Sequence, residues 1–143
     1  MSAFVVDATV VAKWFVPEPL WRESRRLLDP RHDLACPDLL WPDLGRVLWK
    51  KSRRGELQPR EAMRILRAIG GLPLDDYPSE PLLEGALEIA LATGQAIDDC
   101  IYLALAFALE GRLVTADERL VSALAGTPFV SQVVWVGVAT PDA

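Results

Sequence analysis

The chain has 143 residues, of which 51% are hydrophobic and 24% are charged, which suffices for one soluble globular domain with a buried core. Its formal net charge of −5 does not favour nonspecific binding to nucleic acid or to anionic membranes. The longest apolar run, residues 100–109, is well short of the roughly 20 residues that a membrane-spanning helix needs. We therefore expect a single domain over residues 1–143 that does not span a membrane.

The composition also limits the chemistry. The chain has two cysteines and one histidine, which are too few for a zinc site without carboxylates and leave little scope for a histidine-based triad. The N-terminus lacks the basic region and the apolar stretch of a signal peptide. We expect a cytoplasmic protein and, if it is an enzyme, one whose chemistry depends on carboxylates.

Strand and helix signals alternate in chain order. Short apolar or β-branched runs predict strands at residues 4–6, 34–36, 72–77, 113–115 and 133–138. Helical periodicity predicts helices at 9–15, from shortly after 37 to about 54, at 59–69, 80–93, 98–110 and 118–125, and the tail at 139–143 is predicted to be loose. Pro42 fits only the first turn of its helix, and Asp98 is the predicted N-cap of the helix that runs to Glu110.

Alternating strands and helices predict an α/β fold with three layers, in which helices flank a central parallel sheet. Sites in such sheets form beyond the carboxyl ends of the strands. Asp7 and Asp117 each follow a predicted strand, while Asp43 and Asp99 lie at helix starts. The sequence therefore predicts that four carboxylates converge on one edge of the sheet.

Such a set of carboxylates suits phosphodiester hydrolysis with Mg²⁺ or Mn²⁺, because these ions prefer oxygen ligands in octahedral geometry. Burying Asp7 directly after an apolar strand is costly unless the carboxylate is paired or bound to metal. Asp98 and Asp99 are adjacent at a helix start, where one aspartate suffices as the N-cap. We expect Asp98 to cap the helix and Asp99 to be a metal ligand. Structural alternatives stay open, since Asp117 is equally suited to cap its helix and Asp43 to form a solvated ion pair with Arg46.

Four segments together carry a family resemblance: 5–15 (VVDATVVAKWF), 37–40 (PDLL), 99–106 (DCIYLALA) and 113–117 (LVTAD). In this order and spacing they resemble the PIN-domain ribonucleases, and within them the VapC-type toxins of bacterial toxin–antitoxin pairs. The resemblance implies a metal-dependent endoribonuclease, usually dimeric, that an antitoxin silences by covering the active site with its C-terminal segment. Its partners would be RNA and a VapB-type antitoxin.

By position, the resemblance implies that Asp7, Asp99 and Asp117 hold Mg²⁺ or Mn²⁺ and that Asp43 is a further catalytic residue. Thr9 and Thr115 match the family's frequent hydroxyl positions. Asp43 stands where the family usually has a glutamate, which is one methylene longer, and Arg46 replaces a frequent asparagine. These two departures concern metal affinity and catalytic rate more than the fold.

Basic residues concentrate on the predicted helical hairpin between residues 46 and 67, where eight of the fifteen Lys and Arg residues lie. A basic surface near a carboxylate site can hold an RNA backbone through its phosphates. The RNA-binding candidates are Arg46, Lys50, Arg53 and Arg54. For any one of them, solvation or an ion pair is an equally good interpretation.

Two other functional classes share features of this sequence. An aspartate, alanine and threonine after a strand resemble the nucleophile motif of haloacid-dehalogenase-like phosphotransferases, but Thr9 stands where most phosphatases of that group have a second aspartate. A PIN scaffold that is catalytically weakened and serves as a binding or dimerisation module stays open, because of the departures at Asp43 and Arg46.

Overall fold

The computed structural model of the protein describes residues 3–138. Its centre is a five-stranded sheet with the order β3-β2-β1-β4-β5, in which every neighbouring pair is parallel. The strands are β1 (Ala3–Val6), β2 (Asp33–Pro37), β3 (Leu74–Tyr77), β4 (Arg112–Thr115) and β5 (Val133–Trp135). Because β1 lies at the centre, both of its faces are covered, and Val5 and Val6 are completely buried.

Helices connect consecutive strands and cover the sheet. They are α1 (Ala8–Lys13), α2 (Trp21–Arg25), α3 (Leu40–Arg53), α4 (Pro59–Ile69), α5 (Leu83–Thr93), α6 (Ile97–Ala108) and α7 (Glu118–Leu124). Helices α1 to α4 pack together, whereas α5 packs against α6, which in turn contacts β1, β2 and β4. This arrangement confirms the predicted α/β fold with a parallel sheet flanked by helices.

Local sequence signals explain where most helices begin and end. Pro59 opens α4 at its first position, where the missing backbone N–H costs nothing. Pro42 lies in the first turn of α3, as predicted. Helix α5 ends at Gly94, which has a positive φ of 75° that glycine adopts without strain. The run from Cys100 to Ala106 is buried throughout, so α6 is the central helix of the core.

The structure corrects several predicted boundaries. Asp98 does not cap α6, because the helix begins one residue earlier with Ala96 as its N-cap, and Asp98 lies in the first turn. The third strand begins at Leu74 rather than at residue 72, and the last strand ends at Trp135 rather than at residue 138. No helix is predicted from the sequence at the position of α2. The predicted loose tail at residues 139–143 lies outside the described residues.

Among residues 3–138, no single helix has the length and apolar composition to cross a membrane. One bent pair of segments, Glu80–Thr93 and Ile97–Ala108, meets the length and composition criteria only when the two are taken together across a 117° bend.

Candidate active site

Asp7 joins the end of β1 to the start of α1. Its extended backbone makes it the N-cap of α1, and its Oδ1 atom accepts hydrogen bonds from the backbone N–H groups of Thr9 and Val10, both at 3.1 Å. Burial raises the pKa of Asp7, and hydrogen bonds with Thr115, Thr9 and Val10 lower it in part. The carboxylate is therefore both a helix cap and a perturbed acid at the carboxyl edge of the sheet.

The two predicted hydroxyls connect the ends of β1 and β4. Thr9 Oγ1 donates to Asp7 Oδ1 at 2.6 Å and accepts from the backbone N–H of Ala116 at 3.3 Å. Thr115 is completely buried, and its hydroxyl oxygen accepts from the backbone N–H of Asp117 at 3.0 Å. These hydroxyls hold the strand ends in a fixed relation, so that Asp7 and Asp117 have defined positions.

Asp99 lies in the first turn of α6 and interacts electrostatically with both strand-end carboxylates. Its pKa is raised to about 6, first by burial and then by the negative charges of Asp7 and Asp117. Two like charges raise an acid's pKa in this way only at close range. Of the four carboxylates predicted to converge, Asp7 and Asp117 are therefore the two whose charges act on Asp99.

Asp117 is the N-cap of α7, as one of its two interpretations predicted. Its Oδ1 accepts from the backbone N–H of Arg119 at 3.0 Å and of Leu120 at 3.4 Å. The Arg119 guanidinium lies 3.3 Å from Oδ2 in an exposed ion pair. Capping does not remove Asp117 from the site, because its charge still acts on Asp99.

Asp43 is more buried than its ion-pair interpretation implies, with only 8% of its surface exposed. Arg46 Nη2 lies 2.6 Å from Oδ1, and the hydroxyl of Tyr102 donates to Oδ2 at 2.9 Å. Burial raises the pKa of Asp43, the Tyr102 hydrogen bond and Arg46 lower it, and the charge of Asp98 raises it again. Asp43 thus interacts with Tyr102 and Asp98 on α6, whereas Asp7 and Asp117 act on Asp99.

The donor set fits a hard divalent cation. Among residues 3–138, no group of three or more His, Cys, Asp or Glu side chains is arranged so that it could hold a metal ion. The negative charges of Asp7 and Asp117 add to burial in raising the pKa of Asp99. Oxygen donors of this kind are the ligands that Mg²⁺ and Mn²⁺ prefer.

The candidate RNA-binding residues lie along α3, which begins at the site. Lys50, Arg53 and Arg54 are exposed, and the Arg53 guanidinium lies 5.3 Å from the Trp49 ring centre. At 1.5 Å per residue, Lys50 lies about 10 Å along the helix from Asp43, and the two arginines lie about 15 Å from it. Lys51 points elsewhere and pairs with Glu18.

Sequence reasoning missed Tyr102 as part of this region. It lies within the apolar run of α6, which gives no reason to single it out, and it is only 3% exposed. The signal that distinguishes it is its spacing, because a residue three positions after Asp99 lies on the same helix face.

Comparisons with known proteins agree with this geometry. The family model described as the PIN domain matches residues 4–136. Over 120 residues the chain is 32% identical to "Ribonuclease VapC3" of Pyrobaculum aerophilum, which covers 81% of this chain and 90% of that protein.

Solved structures share the fold. A crystal structure from Pyrobaculum aerophilum has a TM-score of 0.71 at 23% identity, covering 95% of this chain and 85% of that one. A toxin–antitoxin complex from Klebsiella pneumoniae has a TM-score of 0.62 at 18% identity, covering 93% and 96%. VapBC2 from Rickettsia felis, bound to a DNA fragment from its promoter, has a TM-score of 0.64 at 12% identity, covering 93% and 98%. With the family model matching nearly all of the described residues, the chain belongs to the PIN-domain family.

Proposed function

We propose that the protein is a metal-dependent endoribonuclease and the toxin of a VapBC-type toxin–antitoxin pair. The observation that carries the proposal is the PIN-domain match over residues 4–136, within which Asp7 follows β1, Asp99 lies in the first turn of α6 and Asp117 caps α7. Three acids placed so that they repel one another are stabilised by a shared cation, and such strongly perturbed groups concentrate at functional sites.

Asp7, Asp99 and Asp117 would hold Mg²⁺ or Mn²⁺. When bound, such an ion stabilises negative charge on a phosphate oxygen and lowers the pKa of a coordinated water. Thr9 and Thr115 orient the ligands, since they fix Asp7 and the backbone of Asp117. The chain supplies no histidine for this chemistry, because its single histidine, His32, precedes β2 at the opposite edge of the sheet.

The substrate is RNA, held by its phosphates on the exposed basic residues of α3. Lys50, Arg53 and Arg54 lie about 10 to 15 Å from Asp43 along the helix axis. They would therefore bind nucleotides that flank the scissile bond rather than the bond itself. The ribonuclease named among the relatives supports this substrate class.

The proposed partners are a VapB-type antitoxin and a second copy of the chain. Two of the structural neighbours are toxin–antitoxin assemblies, which supports the first. Exposed leucines spaced four residues apart along α5 support an apolar contact surface: Leu83, Leu87 and Leu91. A cytoplasmic location belongs to the same proposal, because the substrate and the antitoxin act there.

Cleavage of RNA by the purified, antitoxin-free protein tests the proposal. Wild type with Mg²⁺ or Mn²⁺ is expected to cut RNA internally and to stop when a chelator is added. Asp7→Asn and Asp99→Asn are expected to lose at least about 100-fold of the rate, as removal of a metal ligand does. Asp33→Asn is the matched control, because it removes an exposed carboxylate at the opposite end of β2.

Two results would count against this function. Full cleavage by Asp7→Asn would remove that residue from the site. No cleavage by wild type with either metal would favour the alternative, a weakened PIN scaffold that binds or dimerises, which the Arg46 ion pair on Asp43 favours.

A further inference from the structure

One face of α3 is exposed along the whole helix. Its exposed residues are Pro42, Arg46, Trp49, Lys50 and Arg53, whereas the other residues of the helix are buried or half-buried. After Pro42 they follow one another by three, one and three positions, which is the spacing of a single helix face. We refer to Arg46, Trp49, Lys50 and Arg53 as the α3 stripe.

The α3 stripe is strongly positive. Between residues 44 and 55 the chain has five basic residues and no acidic one. Arg46 pairs with Asp43, so the charge of the stripe is concentrated at Lys50 and Arg53, next to Trp49. The stripe is therefore a surface suited to a polyanion, with one aromatic ring among its cations.

Trp49 is the aromatic member of the stripe, and 58% of its surface is exposed. The guanidinium of Arg53 lies over the indole ring, 5.3 Å from the ring centre. This cation–π contact restrains the ring on the helix surface. An indole held in this way adds little to the hydrophobic core, but it can stack on another flat aromatic group.

Exposure alone would not assign a function to Trp49, since single exposed apolar side chains are common. Phe107 on α6 is exposed to a similar degree, at 61%, but it lies in the stretch from 68 to 111 that contains no lysine or arginine. What distinguishes Trp49 is therefore the combination of an exposed ring with cations on the same helix face.

This combination is the one that binds single-stranded nucleic acid. Cations follow the phosphate backbone, while aromatic rings stack on the bases, and every base offers a flat face for such stacking. The planar guanidinium of an arginine can stack on a base as well. Bases inside a duplex already stack on one another, so only unpaired bases are available to the ring.

We propose that Trp49 stacks on an unpaired base of the RNA, while Lys50 and Arg53 bind the neighbouring phosphates. The ring lies about 9 Å along the helix axis from Asp43. A protein partner is less suited to this face, because covering the ring would also remove Lys50 and Arg53 from water, which is costly without matching charges. This inference rests on the proposed function, because it presumes that RNA is the substrate.

Fluorescence anisotropy with labelled RNA tests the inference in the intact chain. The measurements are made in chelator, which prevents metal-dependent cleavage, and at one fixed salt concentration, because phosphate binding depends on salt. Three probes are compared: an unstructured oligoribonucleotide, an abasic oligomer of the same length and charge, and the duplex of the first strand with its complement. Phe107→Leu is the matched control, since it removes an equally exposed ring outside the stripe.

Trp49→Leu is expected to weaken binding of the single strand about 10-fold, as loss of one stacked base does. Binding of the abasic oligomer and of the duplex should stay unchanged, because these probes offer the ring no unpaired base. The slope of log K against log salt should also stay unchanged, since stacking releases no counterions. Trp49→Phe, which keeps an aromatic face, should bind the single strand within about threefold of wild type.

Each other outcome has a distinct meaning. Wild type that binds none of the three probes would overturn the proposed RNA surface together with this inference. Wild type that binds the single strand and the abasic oligomer equally would overturn this inference alone, and so would an equal loss for both probes in Trp49→Leu, which indicates a structural role. Unchanged binding of the single strand in Trp49→Leu would also overturn it and would leave Trp49 to a protein contact.

Discussion

At Asp99, burial and two neighbouring carboxylates act in the same direction. The pKa rises from 3.8 to about 6, so between about pH 4 and pH 6 the folded protein holds a proton that the unfolded chain has released. A folded-state pKa above the unfolded value means that the ionised carboxylate destabilises the metal-free protein at pH above 6. That penalty disappears as the pH falls through this window.

Asp99→Asn is therefore expected to stabilise the metal-free protein at neutral pH. The raised pKa corresponds to about 1–2 kcal/mol once solvent screening is allowed for, or roughly 3–8 °C in Tm for a domain of this size. Thermal unfolding in chelator at pH 7.5 and at pH 4.5 checks this. The increase in Tm of Asp99→Asn over wild type should be larger at pH 7.5 and small at pH 4.5. A Tm below that of wild type at pH 7.5 would contradict the electrostatic interpretation.

Residues at this edge differ in how well the sequence predicts them. Asp7 directly follows a β-branched run and Asp117 comes one residue after another such run, and a strand end fixes the positions of the next residues within narrow limits. Asp98 was assigned the cap of α6 in error, because an extended Ala96 begins the helix with no side-chain cap. The contact of Tyr102 with Asp43 spans 59 positions in the chain, and no local pattern reports a hydrogen bond of that separation.

At the scale of elements, α3 serves two purposes along its length. Its first turn contributes Asp43 to the site, and its last turn carries the exposed basic residues. Because the helix is rigid, it fixes the distance between Asp43 and the basic surface that we propose binds phosphates. Positive charge at the C-terminal end also suits the helix dipole, so these side chains stabilise α3 whether or not RNA is bound.

Replacing Arg53 and Arg54 with Gln is expected to weaken RNA binding without changing Mn²⁺ affinity. Loss of two phosphate contacts should reduce the slope of log K against log salt by about 1 to 1.5 for single-stranded RNA. Fluorescence anisotropy with labelled RNA at several salt concentrations checks this. Arg112→Gln is the control, since Arg112 is exposed at the start of β4 on the opposite edge, and an equal effect there would contradict a specific role for α3.

Gly111 controls the approach of β4 to β1. A Cβ atom at this position would meet the backbone carbonyl oxygen of Ala3 well inside contact distance, and backbone cannot move aside cheaply. Gly111→Ala is expected to lower the free energy of unfolding by about 2–3 kcal/mol. Gly126→Ala, at a position with open space around it, should change stability little or raise it by up to about 1 kcal/mol.

Urea denaturation of the two glycine variants provides the comparison. Equal stability of Gly111→Ala and wild type would show that the strands separate without cost at this point. It would also argue against a fixed relation between the ends of β1 and β4, on which the positions of Asp7 and Asp117 depend.

Most elements follow from local sequence, and the exceptions have physical causes. Long periodic segments such as α4 and α6 agree closely with their predictions, because burial of one face imposes the period. Helix α2 was missed because its five residues carry no side-chain cap and begin after Leu20 in a left-handed conformation. Strand β5 pairs with one neighbour only, so its length depends on β4 and not on its own apolar run.

At the scale of the whole molecule, charge is unevenly distributed. The net charge is −5, and no Lys or Arg occurs between residues 68 and 111, which includes α5 and α6. RNA is therefore expected to be held on the side of α3 and α4. The parallel order of the sheet could be inferred from the alternation of strands and helices, and the uneven charge from the sequence itself, whereas the ion pair of Lys51 with Glu18 depends on the packing of the helices.

The most direct measurement is a calorimetric titration of the purified wild-type protein with Mn²⁺, beside Asp99→Asn and Asp33→Asn. Saturable binding by wild type and Asp33→Asn, with none by Asp99→Asn, is expected if Asp7, Asp99 and Asp117 form a metal site. No saturable binding by wild type, or undiminished binding by Asp99→Asn, would contradict the assignment of these carboxylates as the catalytic metal ligands.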